Sequence, residues 1–188
     1  KRALFRELEA AAPSSSILAS STSALLWSEL AREARSPARI IVAHPFNPAH
    51  LVPLVELFGA DTAVVRSAAA FYAGLGKVPI ILKREATGHV ANRLASALYR
   101  EAVHIVSAGI ADVADVDTAL VQGPGLRWSV QGPHMTYHLG GGAGGIAHYL
   151  AHLGPSQERR WQSLGAPTLS EGVKAQIVEG VLAEAGGR

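Results

Sequence analysis

The chain has 188 residues, 48% of them hydrophobic, enough to bury one good core or two small ones. Its 17 Lys and Arg stand against 15 Asp and Glu, and the basic side chains are scattered singly, so a net charge of +2 argues against nucleic acid as a partner. There is no cysteine, which excludes disulfides and thiolate chemistry and fits a cytoplasmic protein, and no apolar run approaches the length of a membrane span. The start at Lys1 rather than Met predicts a chain that begins partway through a longer one.

In chain order, Leu4, Phe5 and Leu8 lie at helical spacing within Arg2 to Ala12, and Pro13 followed by three serines stops that helix. Ile17 to Ser20 reads as a short strand leading into Ser21-Thr22-Ser23. Ser21 or Ser23 is expected to cap the next helix, Ala24 to Ala34, which carries Leu25, Leu26 and Leu30 on one face. Ile40 to Val42 is a β-branched run that reads as a strand buried on both faces, and it ends on His44-Pro45-Phe46-Asn47-Pro48. A second short apolar strand follows and carries Glu56.

His44 is therefore expected at the carboxyl end of a strand, the edge of an α/β sheet where ligands bind. A carboxylate returned beside it would fix the imidazole tautomer, as a general base requires. A satisfied structural histidine at a turn explains the same pair equally well.

Beyond this, Asp61 to Gly76 predicts a helix and Val78 to Leu82 a strand at a sheet edge. Alternating helix and strand predicts a parallel sheet with covering helices. Gly88 to Ala108 then carries one long helical pattern, Asp112 to Val121 a shorter helix, Gly123 to Trp128 a loop, and Gly132-Pro133 opens a further helix. Helical spacing returns over 156–188, broken at Gly165-Ala166-Pro167. The expected organisation is an α/β part, 1–83, followed by an all-α part, 84–188.

Two patterns compete with a base-and-carboxylate site. Gly140 to Gly145 satisfies G-x-G-x-x-G, the dinucleotide-binding fingerprint, but no strand flanks it, so it reads as a turn between helices. His134/His138 and His148/His152 have the i,i+4 spacing that offers two nitrogens to a metal, yet neither pair encloses the glutamate of H-E-x-x-H. A metal-dependent hydrolase is the more distant alternative, and no metal site is expected.

Four stretches in order, Ala19-Ser20-Ser21-Thr22-Ser23, His44-Pro45-Phe46-Asn47-Pro48, Leu54-Val55-Glu56 and Gly88-His89-Val90-Ala91-Asn92-Arg93-Leu94, resemble the successive signatures of the L-3-hydroxyacyl-CoA dehydrogenase superfamily. The Gly123 to Trp128 stretch with Gly132-Pro133 resembles the branch acting on small hydroxy acids that lack a CoA handle. The resemblance implies the C-terminal part of a Rossmann-type NAD-binding domain followed by a helical substrate-binding and dimerisation domain. It also implies that the glycine-rich βαβ unit of the family precedes Lys1.

The same resemblance implies the roles of single residues. His44 would be the catalytic base and Glu56 its orienting partner, with Ser23 and Asn92 holding the substrate oxygen. Lys1, Ser21, Ser23 and Asn47 would lie along the cofactor, NAD. The implied activity is oxidation of the 3-hydroxyl of a small hydroxy acid or hydroxyacyl substrate to a ketone, or the reverse, by a homodimer. A non-catalytic interaction or dimerisation fragment of such an enzyme is the alternative. Arg127, displayed between glycines and Trp128, is expected to offer its planar fork to a substrate carboxylate, or else to pair with a surface Asp or Glu.

Overall fold

The computed structural model describes residues 1–186, Arg2 by its backbone alone. The chain divides into two compact units, Lys1–Ala95 and a second that begins at Ser96.

The first unit is built on a four-stranded sheet with strands in sequence order: β1 (Leu18–Ser20), β2 (Ile40–Pro45), β3 (Leu54–Gly59) and β4 (Val78–Ile81). β1 pairs with β2 and β3 with β4 in parallel, as the alternating pattern predicts. The β2–β3 pair is antiparallel. Its short connection explains the difference, because a parallel crossover needs a dozen or more residues and usually a helix.

β2 is the buried strand that its composition predicts, and the two-residue period of a strand divides its side chains between two cores. Ile40 and Val42 pack with Phe5, Leu18 and Leu30 beneath helices α1 (Arg2–Ala11) and α2 (Trp27–Ala31). Ile41 and Ala43 pack with Val55, Leu57, Val65 and Ala68 beneath α3 (Thr62–Gly74). Each of the larger side chains among them, Phe, Leu, Ile or Val, contributes roughly 1.5–3 kcal/mol on removal from water. The indole Nε1 of Trp27 donates to the Ile40 carbonyl at 2.7 Å, and its ring meets Phe58 edge-on, pinning α2 to the face shared by Ile40 and Val42.

Three boundaries differ from the sequence expectation. The second helix is only Trp27–Ala31, and the hydroxyl turning the chain ahead of it belongs to Thr22, which accepts from Leu25 N–H at 3.0 Å, rather than to Ser21 or Ser23. α4 (Ala91–Ser107) begins three residues after Gly88, because Gly88 and His89 both adopt positive φ. The predicted loop at Gly123 is a short helix, α6 (Pro124–Trp128), with Pro124 suited to its first turn.

In the second unit, α5 (Val113–Gln122) starts on an Asp112 cap and packs against α9 (Glu171–Glu184). α7 (Pro133–Gly140) and α8 (Gly145–Ser163) form a hairpin on which Tyr137 and Tyr149 stack with centroids 4.6 Å apart. Gly140 to Gly145 is the turn of that hairpin, as its lack of flanking strands predicts. Gly187 and Arg188, the end of the predicted helical tail, lie outside the described residues.

Candidate active site

The antiparallel register sets His44 directly opposite Glu56, so both side chains stand on the same face of the sheet near the end of β2. Both are buried, and His44 Nδ1 lies 2.9 Å from Glu56 Oε2. A carboxylate only accepts, so Nδ1 carries the proton of the neutral ring and the lone pair resides on Nε2.

The other oxygen of Glu56 is also engaged. Oε1 accepts the backbone N–H groups of Val90 at 2.7 Å and Ala91 at 3.0 Å, the unpaired donors at the start of α4. Glu56 thus caps a helix more than 30 residues away in sequence, and its charge meets the positive end of that helix. Three donors around one buried carboxylate compensate the loss of water that would otherwise make a buried charge costly.

A second buried histidine completes the arrangement. His89 places its ring centroid 4.9 Å from that of His44, tilted by 42°, while its Nε2 donates to the carbonyl of Thr22 at 3.1 Å. That bond ties the start of α4 to the turn after β1. Ser23 follows Thr22 and Asn92 follows Ala91, so the segments bearing both residues converge on the histidine pair. Asn92 is half-buried; Ser23, Ser21 and Asn47 are exposed near the carboxyl ends of β1 and β2, and Lys1 is exposed ahead of α1. Arg127 is exposed in the last turn of α6, within the second unit. Thr22 and His89 are the two contributors that the sequence expectation passed over. A histidine directly behind a glycine at a helix start was the available signal for His89.

Elsewhere, His148 and His152 stack with centroids 4.1 Å apart, and His138 Nδ1 accepts from Ile146 N–H. No group of three His, Cys, Asp or Glu among the described residues is placed to hold a metal ion. No helix among them is long and apolar enough to cross a membrane.

Comparison with known proteins gives this geometry its context. Residues 1–86 match the 3-hydroxyacyl-CoA dehydrogenase NAD binding domain, and residues 88–176 match the C-terminal domain of the same family. The chain belongs to the 3-hydroxyacyl-CoA dehydrogenase family. It is 47% identical over its whole length to the L-carnitine dehydrogenase of Streptomyces griseus, covering 57% of that protein. It is 42% identical to the L-carnitine dehydrogenase of Pseudomonas aeruginosa, with 98% of this chain and 59% of that protein covered. Among solved structures, a 5-formyl-3-hydroxy-2-methylpyridine 4-carboxylic acid 5-dehydrogenase described as an NAD+-dependent dismutase superposes with a TM-score of 0.78 at 26% identity, covering 90% of this chain and 53% of that one. The chain thus spans less than two thirds of the length of these relatives.

Set against the family's cofactor, the described residues offer exposed hydrogen-bonding groups but no pyrophosphate cradle. The hydroxyls of Ser21 and Ser23 and the amide of Asn47 are exposed donors suited to a ribose and a nicotinamide amide. Among the described residues no glycine-rich turn joins a strand to a helix, the feature that cradles a pyrophosphate.

Proposed function

We propose that this chain serves an NAD-dependent oxidoreductase that converts the 3-hydroxyl of a small hydroxy acid to a ketone, or the reverse, with a compound such as L-carnitine as substrate. The carrying observation is the buried His44–Glu56 pair, which leaves His44 Nε2 as the nitrogen with a free lone pair.

In the oxidising direction His44 Nε2 accepts the hydroxyl proton while Glu56 steadies the ring and faces the positive charge that forms on it. NAD, when bound, supplies the acceptor for the hydride leaving the same carbon. Ser23 and Asn92 hold the substrate oxygen as charge develops there. In the reverse direction His44 returns the proton to the ketone oxygen. Lys1, Ser21, Ser23 and Asn47 line the reacting end of the cofactor, and Arg127 receives the substrate carboxylate.

We divide these tasks at Arg84, with 1–83 as cofactor-side residues and 84–188 as the substrate wall and dimerisation domain. A homodimer is supported by the exposed apolar residues Leu150, Leu153, Trp161 and Leu169 in the helical part. A cytoplasmic setting fits the absence of cysteine.

The deciding experiment is His44→Ala in the full-length protein, assayed for hydroxy-acid-dependent NADH formation and for NAD binding. Turnover should fall by roughly 10²- to 10⁴-fold, the range of a general base, with NAD affinity nearly intact. Equal loss of both would make His44 a structural residue and end the catalytic reading.

A further inference from the structure

The mechanism above uses His44, yet a second imidazole is just as buried beside it. His89 is 4% exposed, its ring lies 4.9 Å from the His44 ring, and its backbone holds a φ of 52°. A non-glycine residue in the left-handed region is strained and persists where the surroundings require it. Here they do, because the turn at His89 aims the next two N–H groups, of Val90 and Ala91, at Glu56.

Resting on the dehydrogenase reading, we propose that His89 is a positioning residue that locks the base and both oxygen-binding residues into one geometry. The Thr22 carbonyl can only accept, so Nε2 of His89 carries the proton and the bond fixes its tautomer. Through that bond the residue before Ser23 is held to the start of α4. Along the backbone, His89 leads directly into the donors that hold Glu56 and, three residues on, into Asn92. Across space its ring lies against His44 and obstructs rotation of that imidazole out of line with Glu56. One residue thus reaches the Ser23 turn and the His44 ring with its side chain and the Asn92 helix along its backbone, while contributing no group to the reaction itself.

His89→Phe separates this role from simple packing, since it keeps a flat ring of similar size against His44 and removes the N–H donated to Thr22. In the full-length protein kcat for hydroxy-acid oxidation should fall roughly ten- to a hundredfold, while the dissociation constant for NADH and the melting temperature stay close to wild type. Nitrogen NMR of the histidine rings should show His89 protonated on Nε2 in the wild type, and a changed Nδ1–H signal of His44 in the variant. His89→Gln, which restores an N–H donor in the same region, should recover at least severalfold over Phe.

An unchanged kcat in the Phe variant, or a kcat loss matched by collapse of NADH binding and folding, overturns the positioning role while leaving the dehydrogenase reading in place. No hydroxy-acid turnover in the wild-type protein overturns the dehydrogenase reading and this inference with it.

Discussion

His44 and Glu56 are cross-strand partners in the antiparallel β2–β3 pair, so backbone register holds their 2.9 Å hydrogen bond in place. A one-residue slip of either strand would send one of the two side chains to the opposite face of the sheet. The pair is therefore as stable as the ladder that carries it.

Glu56→Ala should be among the most damaging single changes in the first unit. It strands three donors, His44 Nδ1–H and the N–H groups of Val90 and Ala91, in buried or half-buried surroundings. The expected loss is roughly 3–5 kcal/mol, as for removal of one partner from a buried charged network. Glu56→Gln keeps the shape but faces one side of the network with an amide donor, so about 1–3 kcal/mol is expected. Urea unfolding of the two variants tests the order; equal midpoints for Ala and wild type would contradict it.

Two glycines of α9 should respond to alanine in opposite directions. At Gly172 a Cβ meets nothing within 4 Å, so the helix preference for alanine should stabilise by up to about 0.8 kcal/mol. At Gly180 a Cβ would fall inside the Val113 side chain of α5, 2.8 Å from its Cβ, and overpacking of about 1–3 kcal/mol outweighs the same preference. Thermal melts of the two variants under one buffer decide the signs.

Acid should weaken the first unit through Glu9. Partial burial works to raise its pKa, but hydrogen bonds from the Ser36 and Arg35 N–H groups and the nearby Arg39 and Arg35 charges outweigh it and hold the carboxyl below its ordinary value. A lowered folded-state pKa gives stability that is complete above the unfolded value of about 4.3 and is lost as pH falls through the folded one. Glu9→Gln should flatten that acid limb while leaving the profile above about pH 6 parallel to wild type. An identical acid limb would remove Glu9 from the account.

Under the proposed function, Arg127→Met in the full-length protein should raise KM for a carboxylate substrate roughly ten- to a hundredfold with a smaller effect on kcat, because the contact proposed for it would be made equally to substrate and transition state. A substrate analogue with the carboxylate replaced by an uncharged group should be turned over alike by both forms. If KM for the acid is unchanged, Arg127 is a surface residue of α6.

Much of this arrangement is legible in the sequence where the signal is local. The β-branched run into His44, the return of apolar residues around Glu56 and the long stripe after Gly88 each follow from neighbours in the chain. What escapes is carried by distant partners. The start of α4 at Ala91 rests on the carboxylate of Glu56, and Val90, the residue just ahead of it, has no side chain that could cap it. Thr22 lay between two serines of equal capping propensity, and only the fold selects its hydroxyl. The Gly123 stretch has loop composition, yet a residue without a Cβ lets the chain fold back over the end of α5 and begin a new turn at Pro124.

The two oxygens of Glu56 carry a consequence for how this scaffold can diversify. One holds the His44 ring and the other fixes the first turn of the helix bearing Asn92. A substitution that re-aims this turn would drag His44 with it, so under the proposed function few single mutations can alter specificity alone. New specificities should accumulate at positions remote from this turn, where change leaves the chemistry untouched, and libraries aimed at altered substrate range would do well to hold residues 88–92 constant.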